Sequence, residues 1–150
     1  QCYENVEKHL NENGGKVQYG WVIWEAPKIY LEAEFHALWV DKDGRYVDVT
    51  PHKDGEENVL FLKDSYKKFT GELVDNIRKP LVDTAEARTA VIYGKKRFEI
   101  LIKYYDGKTI QIPSFEIRNL NSFHKETLLS EIKKDKLSGK IKIGRNEPCP

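Results

Sequence analysis

Glu34–Pro51, EFHALWVDKDGRYVDVTP, is the stretch on which the fold turns. It reads as a β-hairpin with strands Glu34–Val40 and Arg45–Thr50 about the turn Asp41-Lys42-Asp43-Gly44. A D-x-D-G sequence favours a type I turn with Gly44 in the left-handed region, which a residue lacking Cβ enters without penalty. That turn sets the register: Asp41 opposite Arg45, Val40 opposite Tyr46, Leu38 opposite Asp48. Side chains alternate across a strand. Phe35, Ala37, Trp39, Val47 and Val49 therefore share one apolar face, broken by Arg45 near the turn. Glu34, His36, Asp48 and Thr50 share the other with Leu38 and Val40. His36 and Asp48 become diagonal neighbours, roughly 5.5–8 Å apart at Cβ, within reach of an imidazole–carboxylate bond. A His and an Asp on a solvated sheet face are also common without any chemistry, so the rest of the chain must decide.

With 150 residues, the chain is long enough for one domain with a real core. Hydrophobic residues make up 39% and charged residues 33%, the balance of a globular protein with a polar surface. A net charge of +1 gives no broad nucleic-acid footprint. No apolar run approaches membrane-spanning length, and no stretch of these residues reads as a signal peptide. The two cysteines, Cys2 and Cys149, sit at opposite ends and form no disulfide framework, so a reducing, cytoplasmic setting is expected. Gln1 at the start and a motif cut off at Cys149-Pro150 suggest a piece of a longer protein.

Around the hairpin the periodicity predicts an α+β fold. Residues 2–13 read as a helix, with Tyr3, Val6 and Leu10 on one stripe and Gly14-Gly15 as its stop. Cys2 then lies in the first helical turn, where free N–H groups and the helix dipole favour an anion. A small buried hydrophobe is the alternative reading of such a cysteine. Residues 16–24 read as a strand in which Gly20 marks a bulge or a close backbone approach. A long strand over Ile29–Val40 runs into the hairpin, and Val59–Leu62 adds a short buried or edge strand. Residues 63–82 are weakly patterned, a loose helix or an extended arm. Asp83-Thr84 caps a helix reaching Tyr105, Thr109–Ile112 is a short strand or bridge, and Asn121 or Ser122 caps a last helix. The expected organisation is an N-terminal helix packed on an antiparallel sheet over residues 1–62, a helical region over 63–138, and a linker and tail over 139–150.

The tail, Gly144-Arg145-Asn146-Glu147-Pro148-Cys149-Pro150, resembles the opening half of the SEC-C motif, a short zinc-binding tail also found at the end of the bacterial preprotein translocase ATPase. The resemblance implies a zinc knuckle in the full-length protein, with Cys149 one of its ligands, that docks onto a protein or ribonucleoprotein partner. Zinc takes four N/S ligands, and this stretch supplies one, so no structural zinc is expected here. CYENV, GGKVQYGWVIWE, AEFHALW and VDVTP resemble an uncharacterised group of bacterial and archaeal proteins that carry SEC-C tails.

More distantly, the order of a Cys at a helix start, a His on a strand and an Asp on the next strand resembles the papain-like and transglutaminase-like superfamily. That resemblance implies Cys2 as nucleophile, His36 as its base and Asp48 as the residue that orients the base. A thiolate attacks a carbonyl, the imidazole shuttles the proton, and the carboxylate fixes its tautomer. The Cys2 backbone N–H is placed to assist an oxyanion, and Trp21, Trp24, Trp39 and Tyr46 are candidates to wall a cleft. The expected activity is a thiol-dependent hydrolase or acyl transferase on amides or thioesters, with a non-enzymatic adaptor acting through the zinc tail as the alternative. A weaker candidate is a metal site built from Glu34, His36, Asp48 and His52. The runs Lys67-Lys68, Lys95-Lys96-Arg97 and Lys133–Lys142 read as solvated faces and linker, and His9 and His124 as polar helix positions.

Overall fold

The computed structural model describes residues 2–52, 55–107 and 109–138. The SEC-C-like tail, Cys149 included, lies outside the described residues. The elements are α1 (Cys2–Asn13), β1 (Lys16–Ala26), β2 (Tyr30–Val40), β3 (Tyr46–Val47), β4 (Leu60–Lys63), β5 (Ile77–Pro80), α2 (Ala85–Lys103) and α3 (Ser114–Leu137). This is an α+β fold: a helix, an antiparallel sheet, then two helices. The chain forms two compact units, one combining Leu31–Arg78 with the residues up to Ala26, the other Pro27–Tyr30 with the chain from Lys79 onward.

The first unit holds the helix and the sheet. Its strand order is β3-β2-β1-β4, with β5 also pairing with β2. The hairpin has the expected register, Trp39 opposite Val47 and Val40 opposite Tyr46. The Gly44 N–H donates to the Asp41 carbonyl at 3.1 Å, and Gly44 itself takes φ 83°. The second strand is shorter than the alternation implies, two residues rather than Arg45–Thr50. The reason is local. The Thr50 N–H donates to Asp48 Oδ1 at 2.9 Å, an Asx turn that takes the backbone out of the ladder.

Val6 on α1, Val22 on β1 and Phe35, Ala37 and Leu38 on β2 form the core of this unit. α1 stops at the expected place, with the N–H of Gly14 (φ 69°) bonded to the Leu10 carbonyl. Gly20 lies where β4 crosses closest: a Cβ there would collide with the Leu62 carbonyl and the Phe61 ring, so the glycine is a close approach. β4 pairs with β1 along one side and leaves Leu60 and Leu62 exposed, so the apolar run is an edge strand. Residues 64–76 form no helix. Phe69 stacks on Tyr3 with ring centroids 3.6 Å apart, and Lys67 lies over the Trp21 ring.

In the second unit α2 and α3 pack together. Thr84 caps α2 through its side-chain oxygen, which accepts the Ala87 N–H. Arg88 holds the pair by ion pairs to Glu131 at 2.5 Å and Asp135 at 2.6 Å, two carboxylates buried on α3. α3 starts at Ser114, not at Asn121 or Ser122. Pro113 is its cap residue, and the Pro113 carbonyl accepts the first helical N–H groups. Phe115 and Ile117 are half-exposed, so the first two turns lack the apolar stripe that marks a helix in a sequence.

Candidate thiol–imidazole–carboxylate site

Three local features bring Cys2, His36 and Asp48 together. Cys2 is the first residue of α1. His36 sits in the middle of β2, on a stretch buried from Phe35 to Leu38, and is itself only 3% exposed. Asp48 leaves β3 at the Asx turn. With Oδ1 engaged by Thr50, its other oxygen faces back toward β2.

His36 Nε2–H donates to Asp48 Oδ2 at 2.9 Å. A carboxylate oxygen only accepts, so the proton belongs on Nε2. The Cys2 side chain also acts on the imidazole and helps raise its pKa; with Nε2 engaged by Asp48, Nδ1 is the nitrogen left to meet it. In the neutral pair the bare Nδ1 accepts the thiol proton, and in the charged pair Nδ1–H⁺ faces a thiolate. Burial alone pulls the His36 pKa down. The bond to Asp48 and the bond and charge of Cys2 outweigh it and push the imidazole up from 6.5 to about 10. The Asp48 carboxyl is lowered in turn: burial raises it, but the bonds from His36, the Thr50 N–H and His52 prevail.

Other residues frame the pair. Tyr3 donates its hydroxyl to the Phe35 carbonyl at 3.0 Å and also bonds the Cys2 side chain. Burial, followed by the Cys2 charge, holds its phenol well above the ordinary value. Asn5 on α1 donates to the Thr50 hydroxyl at 3.5 Å, a long bond from the helix to the Asx turn. A cleft of about 370 Å³ opens beside His36, lined by Trp24, Glu34, Thr50, His52 and Glu56. A second, of about 820 Å³, lies against Asp48 and is walled by Leu38, Tyr46, Leu60 and Phe61. Both fall within the size range of small-molecule and substrate pockets.

Of the aromatic residues expected to wall a cleft, Trp24 and Tyr46 do so. Trp39 instead donates its indole N–H to the Gly14 carbonyl, and Trp21 donates to Asp64. His9 packs edge-on against Trp39 and His124 against Tyr93. Among the described residues no group of His, Cys, Asp or Glu is arranged to hold a metal ion, so the set Glu34, His36, Asp48 and His52 is not a metal centre. The reason is visible: His36 and His52 both direct Nε2 onto the same Asp48 oxygen, and Glu34 accepts from the Trp24 indole instead.

The sequence places His52 beside His36 and Asp48 only as a weaker metal ligand, and it does not place Tyr3 in the site. His52 follows Asp48 by four residues in D-V-T-P-H, a turn spacing rather than a strand period. Tyr3 read as one point of the α1 stripe. Comparison with known proteins finds no matching family model, no matching curated protein and no matching solved structure. Among the described residues no helix is long and apolar enough to cross a membrane.

Proposed function

We propose that this chain is a thiol-dependent hydrolase or acyl transferase acting on amide or thioester carbonyls, with a protein substrate, in a papain-like or transglutaminase-like arrangement. One observation carries the reading: a buried imidazole hydrogen-bonded to a carboxylate, with a thiol at the start of a helix close enough to help raise its pKa. In the acylation step the Cys2 sulfur attacks the carbonyl carbon as its proton passes to His36 Nδ1. The C–S bond forms, and His36 returns the proton to the departing amine or thiol. In the second step His36 takes a proton from water or an acceptor nucleophile, whose attack breaks the C–S bond and restores the thiol. Asp48 keeps the imidazole turned with Nδ1 toward sulfur and balances its charge. A reducing cytoplasm suits the reading, because the free thiol of Cys2 is preserved there.

The adaptor alternative asks nothing of Cys2 and His36, whereas the enzyme needs them close, and the influence of Cys2 on the His36 imidazole supports the enzyme. Of the four ligands a SEC-C zinc would need, this chain carries Cys149, and no step of the proposed chemistry involves the metal.

The test is alkylation of Cys2 by iodoacetamide in a Cys149→Ser background. An unassisted thiol, with a pKa near ~8.5, is almost wholly protonated at about pH 6. Appreciable alkylation there, lost in His36→Ala, is the expected result. A slow reaction indifferent to His36 sinks the reading. A second arm incubates the protein with a thioester such as acetyl-CoA and looks by mass spectrometry for an acetyl group on Cys2.

A further inference from the structure

Asp48 Oδ2 accepts a second hydrogen bond, from His52 Nε2–H at 3.1 Å, beside the one from His36. The two imidazoles therefore meet on one oxygen, with ring centroids 6.3 Å apart. His52 is not loosely placed. Its side chain is only 15% exposed. Its ring meets the Trp24 ring edge-on at 5.5 Å, and the Trp24 indole N–H donates to Glu34 Oε2 at 2.9 Å. Glu34 lies two residues before His36, on the same face of β2. The chain of contacts thus closes on itself: β2 through Glu34, β1 through Trp24, the turn segment through His52 and Asp48, and back to β2 through His36. His52 also lines both the 370 Å³ and the 820 Å³ clefts, and it stands between the smaller one and the Asp48 carboxylate, which itself lines only the larger.

We infer that His52 is a positioning residue of the thiol site: it fixes the Asp48 carboxylate toward His36 and shields it on the side of the smaller cleft. The inference rests on the proposed thiol chemistry. Each neighbour has a defined part. Asp48 and His36 face His52 from the turn and from β2, Trp24 faces it from β1, and Glu34 and Glu56 share its cleft. Thr50 alone cannot hold the carboxylate plane, because its N–H engages Oδ1 only. Removing the His52 ring opens Asp48 to the smaller cleft in addition to the larger one it already lines. Water then solvates the carboxylate and screens it, so its hold on the imidazolium of His36 weakens.

The experiment follows the His36 titration by ¹⁵N NMR, with thermal unfolding alongside, in His52→Ala, His52→Gln, His52→Phe and Cys2→Ala. The expected result for His52→Ala is a fall in His36 proton affinity of about tenfold and slower Cys2 alkylation at about pH 6. Gln can donate an amide N–H to Asp48 and is expected to recover much of the loss. Phe can shield but not donate, and recovers less. A folded His52→Ala protein with an unmoved His36 titration overturns the inference. If His52→Ala does not fold, equal His36 titrations in the Gln and Phe variants overturn it instead. The underlying thiol reading fails separately, if Cys2→Ala leaves the His36 titration where it was.

Discussion

His36 and Asp48, twelve residues apart in the chain, meet at 2.9 Å because each is aimed by a different device. The pleat of β2 aims His36, and the Asx turn onto Thr50 aims Asp48. The pair is only 4% and 13% exposed, so neither partner has water as an easy substitute.

Asp48→Ala removes the acceptor of three N–H groups at once, those of His36, His52 and Thr50. Leaving such donors unanswered costs about 1–3 kcal/mol. The expected outcome is a lower urea midpoint together with Cys2 alkylation at about pH 6 slowed at least ~10-fold. A variant as stable and as reactive as the parent contradicts the role given to Asp48.

The pH dependence follows from the two shifts. His36 is raised from 6.5 to about 10, so the folded protein binds its proton more tightly than the unfolded chain does. Its contribution to stability is complete below 6.5 and is lost as the pH rises through about 10. Asp48 is lowered from 3.8, so its contribution is complete above that value and is lost as the pH falls through its depressed pKa. Denaturant midpoints are expected to be highest between 3.8 and 6.5 as far as this pair decides, with a decline on the alkaline side. His36→Gln is expected to flatten that alkaline decline. An equal slope in both proteins contradicts it.

Gly20→Ala puts a methyl group into the Leu62 carbonyl and the Phe61 ring. β4 must then move away from β1, at a cost of about 1–3 kcal/mol. Hydrogen exchange is expected to rise first at the β1–β4 pairs, from Gly20–Lys63 to Ile23–Leu60. Unchanged protection there contradicts the close approach.

Arg88→Met leaves Asp135 in the α2–α3 interface without its Arg88 partner and Glu131 with Lys134 alone. Buried carboxylates without a partner are costly. Calorimetry is expected to show a lower unfolding temperature, and replacing both carboxylates by Leu in the same background is expected to recover part of it. No recovery means that the carboxylates are not the source of the loss.

How much of this was legible in the sequence differs from element to element. α1 and the hairpin register were readable because local rules set them: a three–four spacing ended by Gly14, and a D-x-D-G turn. That His36 and Asp48 share a face follows from the register. The short β3 was not readable, because it depends on a side chain competing with the ladder for the Thr50 N–H. His52 reads as a metal ligand rather than as a donor to Asp48 for the same reason, since its approach to Asp48 is a product of that turn. The start of α3 was hidden because Phe115 and Ile117 do not join a buried stripe.

The Asx turn carries one more implication. Each oxygen of Asp48 is met only by hydrogen donors, the Thr50 N–H at Oδ1 and two ring N–H groups at Oδ2. An amide of the same shape has an oxygen at one end and an NH₂ at the other. An asparagine keeps the backbone bond only by turning its NH₂ toward the rings, and each imidazole must then present a bare Nε2 and carry its proton on Nδ1. The aspartate at position 48 thus selects the Nε2–H tautomer of His36, and its neutral isostere selects the opposite one.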